Sequence, residues 1–163
     1  MSSMMNTGVH YTSNSIEWFT PQYIVEWCQH RFFVSGHIFS LDVASSDLNK
    51  KAPSNYTIED NGLIKPWFGH VWLNPPYGRT IKDWILKSIK EITQENSNCS
   101  SITLLIPART DTRWFFSLIN NNIRKHIIFV KGRIKFSNSN PAPFPSVIVH
   151  LLPDKGETTV SFE

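Results

Sequence analysis

The sequence has little of several things, and each scarcity narrows what it can be. Only two cysteines occur in 163 residues, Cys28 and Cys99. They lie far apart and form no ligand spacing, so neither a disulfide framework nor a cysteine-built metal site organises the chain; two free thiols in a reducing cytoplasm is the simplest account. The six histidines show no metal-ligand spacing either, which favours solvent or core roles and no metal. No apolar run approaches the roughly 20 residues needed to cross a bilayer. Residues 1–15 are polar and lack the apolar stretch of a signal peptide. The expectation is a soluble, cytoplasmic protein. Net charge is only +3, with a pI near 8.9, which permits nucleic acid as a partner without arguing for it strongly. There is no internal repeat and no low-complexity tract.

What is present reads as one globular domain. Hydrophobic residues make up 40% and charged residues 18%, a balance that can bury a core, and the length suits a single one. Six Trp and 11 Phe supply a rich core and leave room for a few exposed stacking surfaces.

Along the chain, residues 1–15 read as a flexible N-terminus, 16–153 as the folded domain, and 154–163 as a polar C-terminal tail. Thr20-Pro21 has the chemistry of a helix start, Thr as N-cap and Pro at the first helical position, with a helix to about His30. Phe39, Leu41 and Val43 alternate with Ser40 and Asp42, predicting a strand that ends near an acid. From Ser45 to Gly69 the pattern weakens, and so long an irregular stretch tends to be functional or mobile. Val71-Trp72-Leu73 is the next strand. Thr80 and Asp83 look like a capping box before a helix bearing Ile81, Trp84, Ile85, Ile89 and Ile92 on one face. Ile102 to Ile106, ending at Pro107, reads as a buried parallel strand. Asp111 or Thr112 can cap a short helix with Trp114, Phe115, Leu118 and Ile119. Ile127 to Val130 is another buried strand, Gly132 offers a turn, and Val147 to Leu152 is the last strand. Strands alternating with helices predict an α/β sheet, mostly parallel and flanked by helices, whose ligands bind at the carboxyl ends of the strands. Asp42 and Asn74 both fall at such ends.

The most informative segment is Asn74-Pro75-Pro76-Tyr77, between the apolar run Val71-Trp72-Leu73 and Gly78. It sets a polar acceptor, two stiff prolines and an aromatic where a strand ends. Proline fixes φ and has no N–H, so the carbonyls here are held in defined directions. Such a corner suits a flat substrate bearing an amine. The Asn74 oxygen and the Pro75 carbonyl can accept the two amino hydrogens, which pushes density back onto a nitrogen whose lone pair is delocalised into the ring, while Tyr77 stacks on the ring face. An RNA base or a protein amide satisfies the same chemistry.

These four residues resemble the catalytic motif of amino-group methyltransferases. The wider chain, from Glu17 to about Leu152, resembles the phage-type DNA N6-adenine methyltransferase (Dam) family. The blocks that carry the resemblance are Glu17-Trp18-Phe19-Thr20-Pro21, Leu41-Asp42-Val43-Ala44, Thr57 to Leu63 with Trp67, Trp72 to Gly78, Pro107 to Thr112 with Trp114-Phe115, and Gly132-Arg133-Ile134-Lys135-Phe136. Several blocks in the right order are far more specific than one tetrapeptide.

The resemblance implies a Rossmann-like methyltransferase fold and S-adenosylmethionine as cofactor. It implies DNA as substrate, with methyl transfer to the N6 amine of a flipped adenine and no catalytic nucleophile. It places Asn74, Pro75, Pro76 and Tyr77 in catalysis. Thr20 and Pro21 would lie near the donor's methionine end, with Asn74 beside them. Asp42 would take an ammonium or ribose hydroxyl, and Asp60 would meet the adenosine part. Phe136 would face Tyr77 across the base, with Phe144 as the alternative and core packing as the competing role. Arg109, Arg113, Arg133 and Lys135, with Lys131, would contact phosphates. A phage or prophage origin follows from the resemblance alone. One departure stands out: related sites follow the first strand with a glycine-rich turn, and this chain has Ala44-Ser45-Ser46-Asp47. A DNA-binding or decoy protein of the same fold that has lost catalysis is the rival this departure keeps alive.

Overall fold

In the third strand, Val71 and Leu73 enter one core and Trp72 enters another, because successive side chains of a strand point to opposite faces. The same sorting repeats along the sheet. Leu104 and Ile106 fall on one side and Leu105 on the other; Val147 and Val149 oppose Ile148. A strand buried on both faces must be apolar throughout, which is why these segments read as continuous hydrophobic runs.

A computed structural model describes residues 18–136 and 140–163; Glu17 and the segment 1–15 lie outside the described residues. The strands are β1 (Leu41–Asp42), β2 (Ser54–Asn55), β3 (Gly69–Leu73), β4 (Cys99–Pro107), β5 (Ile123–Phe129), β6 (Ser146–Lys155) and β7 (Thr158–Phe162). They form one sheet in the order β2-β1-β3-β4-β6-β5-β7. Every pairing is parallel except those of β6, which runs antiparallel between β4 and β5. Helix α1 (Gln22–Phe32) buries Ile24, Val25 and Cys28 on the Trp72 face. Helices α2 (Ile81–Thr93) and α3 (Arg113–Ile119) cover the other, through Ile81, Ile85, Ile92, Phe115 and Leu118. Each such side chain, fully buried, contributes about 1.5–3 kcal/mol. The result is the mostly parallel α/β sheet expected from the alternation of elements, in the Rossmann-like form that the resemblance implied. Among the described residues no helix is long and apolar enough to cross a membrane.

Several local expectations give way to tertiary partners. Thr20 does not cap α1. Pro21 occupies the N-cap position in extended conformation, and α1 begins at Gln22 and runs on to Phe32. The Thr80–Asp83 box does not close, because Thr80 is itself helical (φ −86°, ψ −7°), an angle that turns its hydroxyl away from the amides; the Asp83 amide donates instead to the Thr80 carbonyl at 2.9 Å. Thr112 does cap α3, its Oγ1 accepting from the Phe115 amide. The stretch from Ser45 to Gly69 contains β2, two residues only.

Where a polar tail is expected, β6 continues to Lys155, the chain turns at Gly156, and β7 returns parallel to β5. Gly156 passes so close to Arg124 that a Cβ there would lie 2.9 Å from its Cδ. Buried Lys125 sets the other end of this region. Its Nζ donates to the Ile119 and Asn121 carbonyls and to Asn121 Oδ1, placing a cation on the carbonyl end of α3 where the helix dipole favours it.

Candidate active site

The parallel strands β1 and β3 are paired Leu41 to Val71 and Asp42 to Trp72, so they end level with one another. Beyond those ends lies a cleft of about 740 Å³. Its walls come from the segment before α1 (Trp18, Phe19, Thr20), the turn after β1 (Ala44 to Asp47), the segment 57–62, and the corner Asn74-Pro75-Pro76.

Asn74 is the best-defined group in it. Its Nδ2 donates to the Trp18 carbonyl and, at 3.0 Å, to Thr20 Oγ1. A carbonyl can only accept, so this pair decides which end of the amide is nitrogen. The Oδ1 atom is left facing away from both, buried and without a hydrogen-bond partner. An unpaired buried acceptor costs about 1–3 kcal/mol, so its persistence in a cleft wall marks a place for a donor from outside the chain. Gly78, with φ of 130°, then turns the backbone toward α2 through a conformation that L side chains rarely adopt.

Tyr77 is placed differently from the other three. Its ring is partly buried against both cores, its hydroxyl donates to the Leu105 carbonyl at 3.3 Å, and burial pushes its phenol above the ordinary range. It is absent from the residues that line the cleft. The ring it meets is Phe144, edge to face at 5.3 Å. Phe136 does not face Tyr77. At 3% exposure it packs in the core against Trp18 and Phe144, so of the two sequence candidates Phe144 is the one brought to Tyr77.

Asp42 is 2% exposed and far from a solvated loop acid. Its two oxygens accept from the Lys51 amide at 2.9 Å and the Ala44 amide at 3.4 Å. Desolvation outweighs those amides and the Lys51 charge, and lifts its pKa to about 6. Thr20 is buried and lines the cleft; Pro21 does not line it. Asp60 also falls outside the lining, where the Thr57 amide and hydroxyl bind its carboxylate and hold its pKa below the usual range. Its neighbour Glu59 lines the cleft instead.

The missing glycines have a simple explanation. Among the described residues Asn61 is the only non-glycine with positive φ, so the turn from Ala44 to Asp47 uses ordinary backbone and has no need of glycine. Small side chains keep the cleft open there, and Ser45 Oγ is a second buried atom without a partner on the same wall. The close approach has moved to Gly62. A Cβ at that position would lie 2.1 Å from the Val43 carbonyl oxygen. Asn61, left-handed at φ 57°, delivers Gly62 there, and the Trp67 indole holds it by donating to the Gly62 carbonyl at 2.8 Å. Sequence reading missed Gly62, Ser45, Lys51 and Glu59, since each matters through the neighbour it meets.

Arg109, Arg113, Lys131, Arg133 and Lys135 are all exposed and all follow the carboxyl ends of β4 or β5, on the edge that carries the cleft. Among the described residues none of them forms an ion pair. Among the described residues no histidine lines the cleft. His150 is buried with its Nδ1 on Thr103 Oγ1 and its ring stacked on Phe32 at 4.0 Å. Among the described residues no group of three or more His, Cys, Asp or Glu could hold a metal ion.

Over 101 residues the chain is 36% identical to the DNA N-6-adenine-methyltransferase of Escherichia phage T1, an alignment covering 60% of this chain and 38% of the phage protein. Its fold is shared with a protein of Listeria monocytogenes described as a class I S-adenosylmethionine-dependent methyltransferase, at TM-score 0.50 and 13% identity, over 85% of this chain and 53% of that one. The matched region is thus about half the length of the Listeria chain and less of the phage protein. With residues 10–146 matching it, the chain belongs to the DNA N-6-adenine-methyltransferase (Dam) family.

Proposed function

We propose that the protein methylates the N6 amine of adenine in DNA, using S-adenosylmethionine. The observation that carries this reading is the orientation of Asn74: its nitrogen is tied down by Trp18 and Thr20, and its oxygen is left unpaired in the cleft wall. An exocyclic amine is a poor nucleophile because its lone pair is shared with the ring. Asn74 Oδ1 and the Pro75 carbonyl accept its two hydrogens and favour a tetrahedral nitrogen. Tyr77, braced by Leu105 and Phe144, offers its ring to the flipped base. The exposed cations Arg109, Arg113, Arg133 and Lys135 meet the phosphates that flank it.

The cleft fits the cofactor. Its volume suits a nucleoside-sized ligand, and it carries two orphaned polar atoms and a buried carboxylate. Thr20 and Asp42 would hold the methionine end, with Asn74 beside them, and Glu59 lines the cleft where Asp60 was expected to meet the adenosine part. When bound, the cofactor supplies an electrophilic methyl group. A host-cell cytoplasm and a phage or prophage origin fit the phage relative.

The test is to incubate the protein with S-adenosylmethionine and DNA, digest to nucleosides, and sequence the modified positions. N6-methyladenine is expected. Its absence from DNA treated with protein that binds the cofactor would overturn the reading in favour of a binding or decoy protein, and methylation of RNA or protein alone would move the substrate.

A further inference from the structure

Among the described residues, four charged side chains line the cleft: Asp42, Asp47, Glu59 and Lys51. Three are acidic and one is cationic. The methionine end of S-adenosylmethionine carries a sulfonium and an ammonium, which suit the acids, and a carboxylate, which does not. A carboxylate placed among three others is repelled unless a cation stands beside it.

Lys51 is that cation by position as well as by elimination. Its backbone amide donates to Asp42 Oδ2 at 2.9 Å, so it is rooted where β1 ends. Asp42 shares the sheet face of its register partner Trp72, the face on which α1 packs and from which Trp18 and Thr20 enter the cleft. Ala52, the next residue, is buried in that same core. Lys51 is half-buried, and among the described residues its ammonium makes no ion pair. Desolvation lowers its pKa, while Asp42 acts against that. A partly desolvated ammonium without a direct partner gains from a carboxylate brought to it.

Resting on the reading of this cleft as the cofactor site, we propose that Lys51 recognises the carboxylate of the cofactor's methionine end and that Asp42, beside it, takes the ammonium. Together the two residues read both ends of the amino-acid group. Lys51, tied to the end of β1 through Asp42, then supplies a charged side chain beside the turn where the resemblance led us to expect glycine-exposed backbone.

Decarboxylated S-adenosylmethionine, which keeps the sulfonium and the amine but lacks the carboxylate, separates this role from any other. Binding of both compounds is measured by titration calorimetry on the intact protein and on Lys51→Met. The substitution retains the backbone amide that Asp42 accepts, so the turn persists, and an unchanged thermal melt checks it. The wild type should bind S-adenosylmethionine tighter than the decarboxylated compound by about tenfold or more, the order for one charge-assisted hydrogen bond. Lys51→Met should lose about that factor for S-adenosylmethionine and nothing for the decarboxylated compound, and Lys51→Arg should recover part of it. Equal weakening of both ligands, or of neither, overturns the assignment while leaving the cofactor reading intact. Failure of the wild type to bind either compound overturns both.

Discussion

The side chain of Asn74 is held by the hydroxyl of Thr20, 54 residues earlier in the chain, at 3.0 Å. On the proposed function, Thr20 is therefore a positioning residue for the corner assigned to catalysis. Thr20→Val removes the acceptor while keeping the shape, frees the amide to rotate, and should lower kcat about tenfold with little change in thermal stability; Thr20→Ser should retain activity. Asn74→Ala should abolish turnover and leave cofactor affinity nearly intact. Steady-state kinetics beside calorimetry check both, and undiminished turnover in Asn74→Ala would refute its assigned role.

Of the described glycines, Gly62 makes the closest approach to a neighbour. A methyl group there meets the Val43 carbonyl, so Gly62→Ala must push segment 57–62 off the end of β1. Overpacking of this kind costs about 1–3 kcal/mol, roughly 2–12 °C in melting temperature for a chain of this length. Cofactor affinity should fall with it. A normal melt and normal binding in this variant would show that the segment is free to move.

Two buried groups make opposite contributions to the pH dependence of stability. Asp42 has its folded pKa raised to about 6 by burial, so the folded state binds a proton that the unfolded chain has released. Its contribution therefore falls as pH rises from about 4 through 6. His150 has its pKa lowered to about 3, chiefly by burial and then by His126, His70 and Arg31. The unfolded chain binds that proton below about 6.5, so the His150 contribution is lost as pH falls through that window. The two slopes partly cancel in the wild type. Denaturant titrations between pH 4 and 7 should become more acid-sensitive in Asp42→Asn and less so in His150→Gln. Cofactor affinity should also drop below about pH 6, where Asp42 loses the charge assigned to the ammonium.

The exposed cations make a separate set. If Arg109, Arg113, Arg133 and Lys135 touch phosphates, each replaced by Ala should weaken DNA binding on all sequences alike and reduce the salt dependence of log Kd by about one. A loss confined to one sequence would reassign that residue to base reading. Salt-series binding on two unrelated duplexes distinguishes the outcomes.

How much was legible in the sequence varies with the range of the forces involved. The buried strands β3 and β4, the amphipathic α2 and the Thr112 cap were readable, because periodic burial and local hydrogen bonds leave their mark on neighbouring residues. The corner Asn74 to Tyr77 was readable because proline and asparagine restrict the backbone wherever they occur. β7 was not, since its alternation is confined to Thr159-Val160-Ser161-Phe162 and its apolar members Val160 and Phe162 stay exposed at the sheet edge, where no core burial marks them.

What the tertiary structure alone decided is which atoms meet. It turned Thr20 from a helix cap into a partner of Asn74, put Glu59 in the cleft in place of Asp60, set Phe144 rather than Phe136 against Tyr77, and buried Asp42 beside Lys51. Each of these depends on sheet register and on where two distant segments cross. Residue type and spacing set the chemistry available to the chain, and the packing of α1 and segment 57–62 on the ends of β1 and β3 selected which of it faces the ligand.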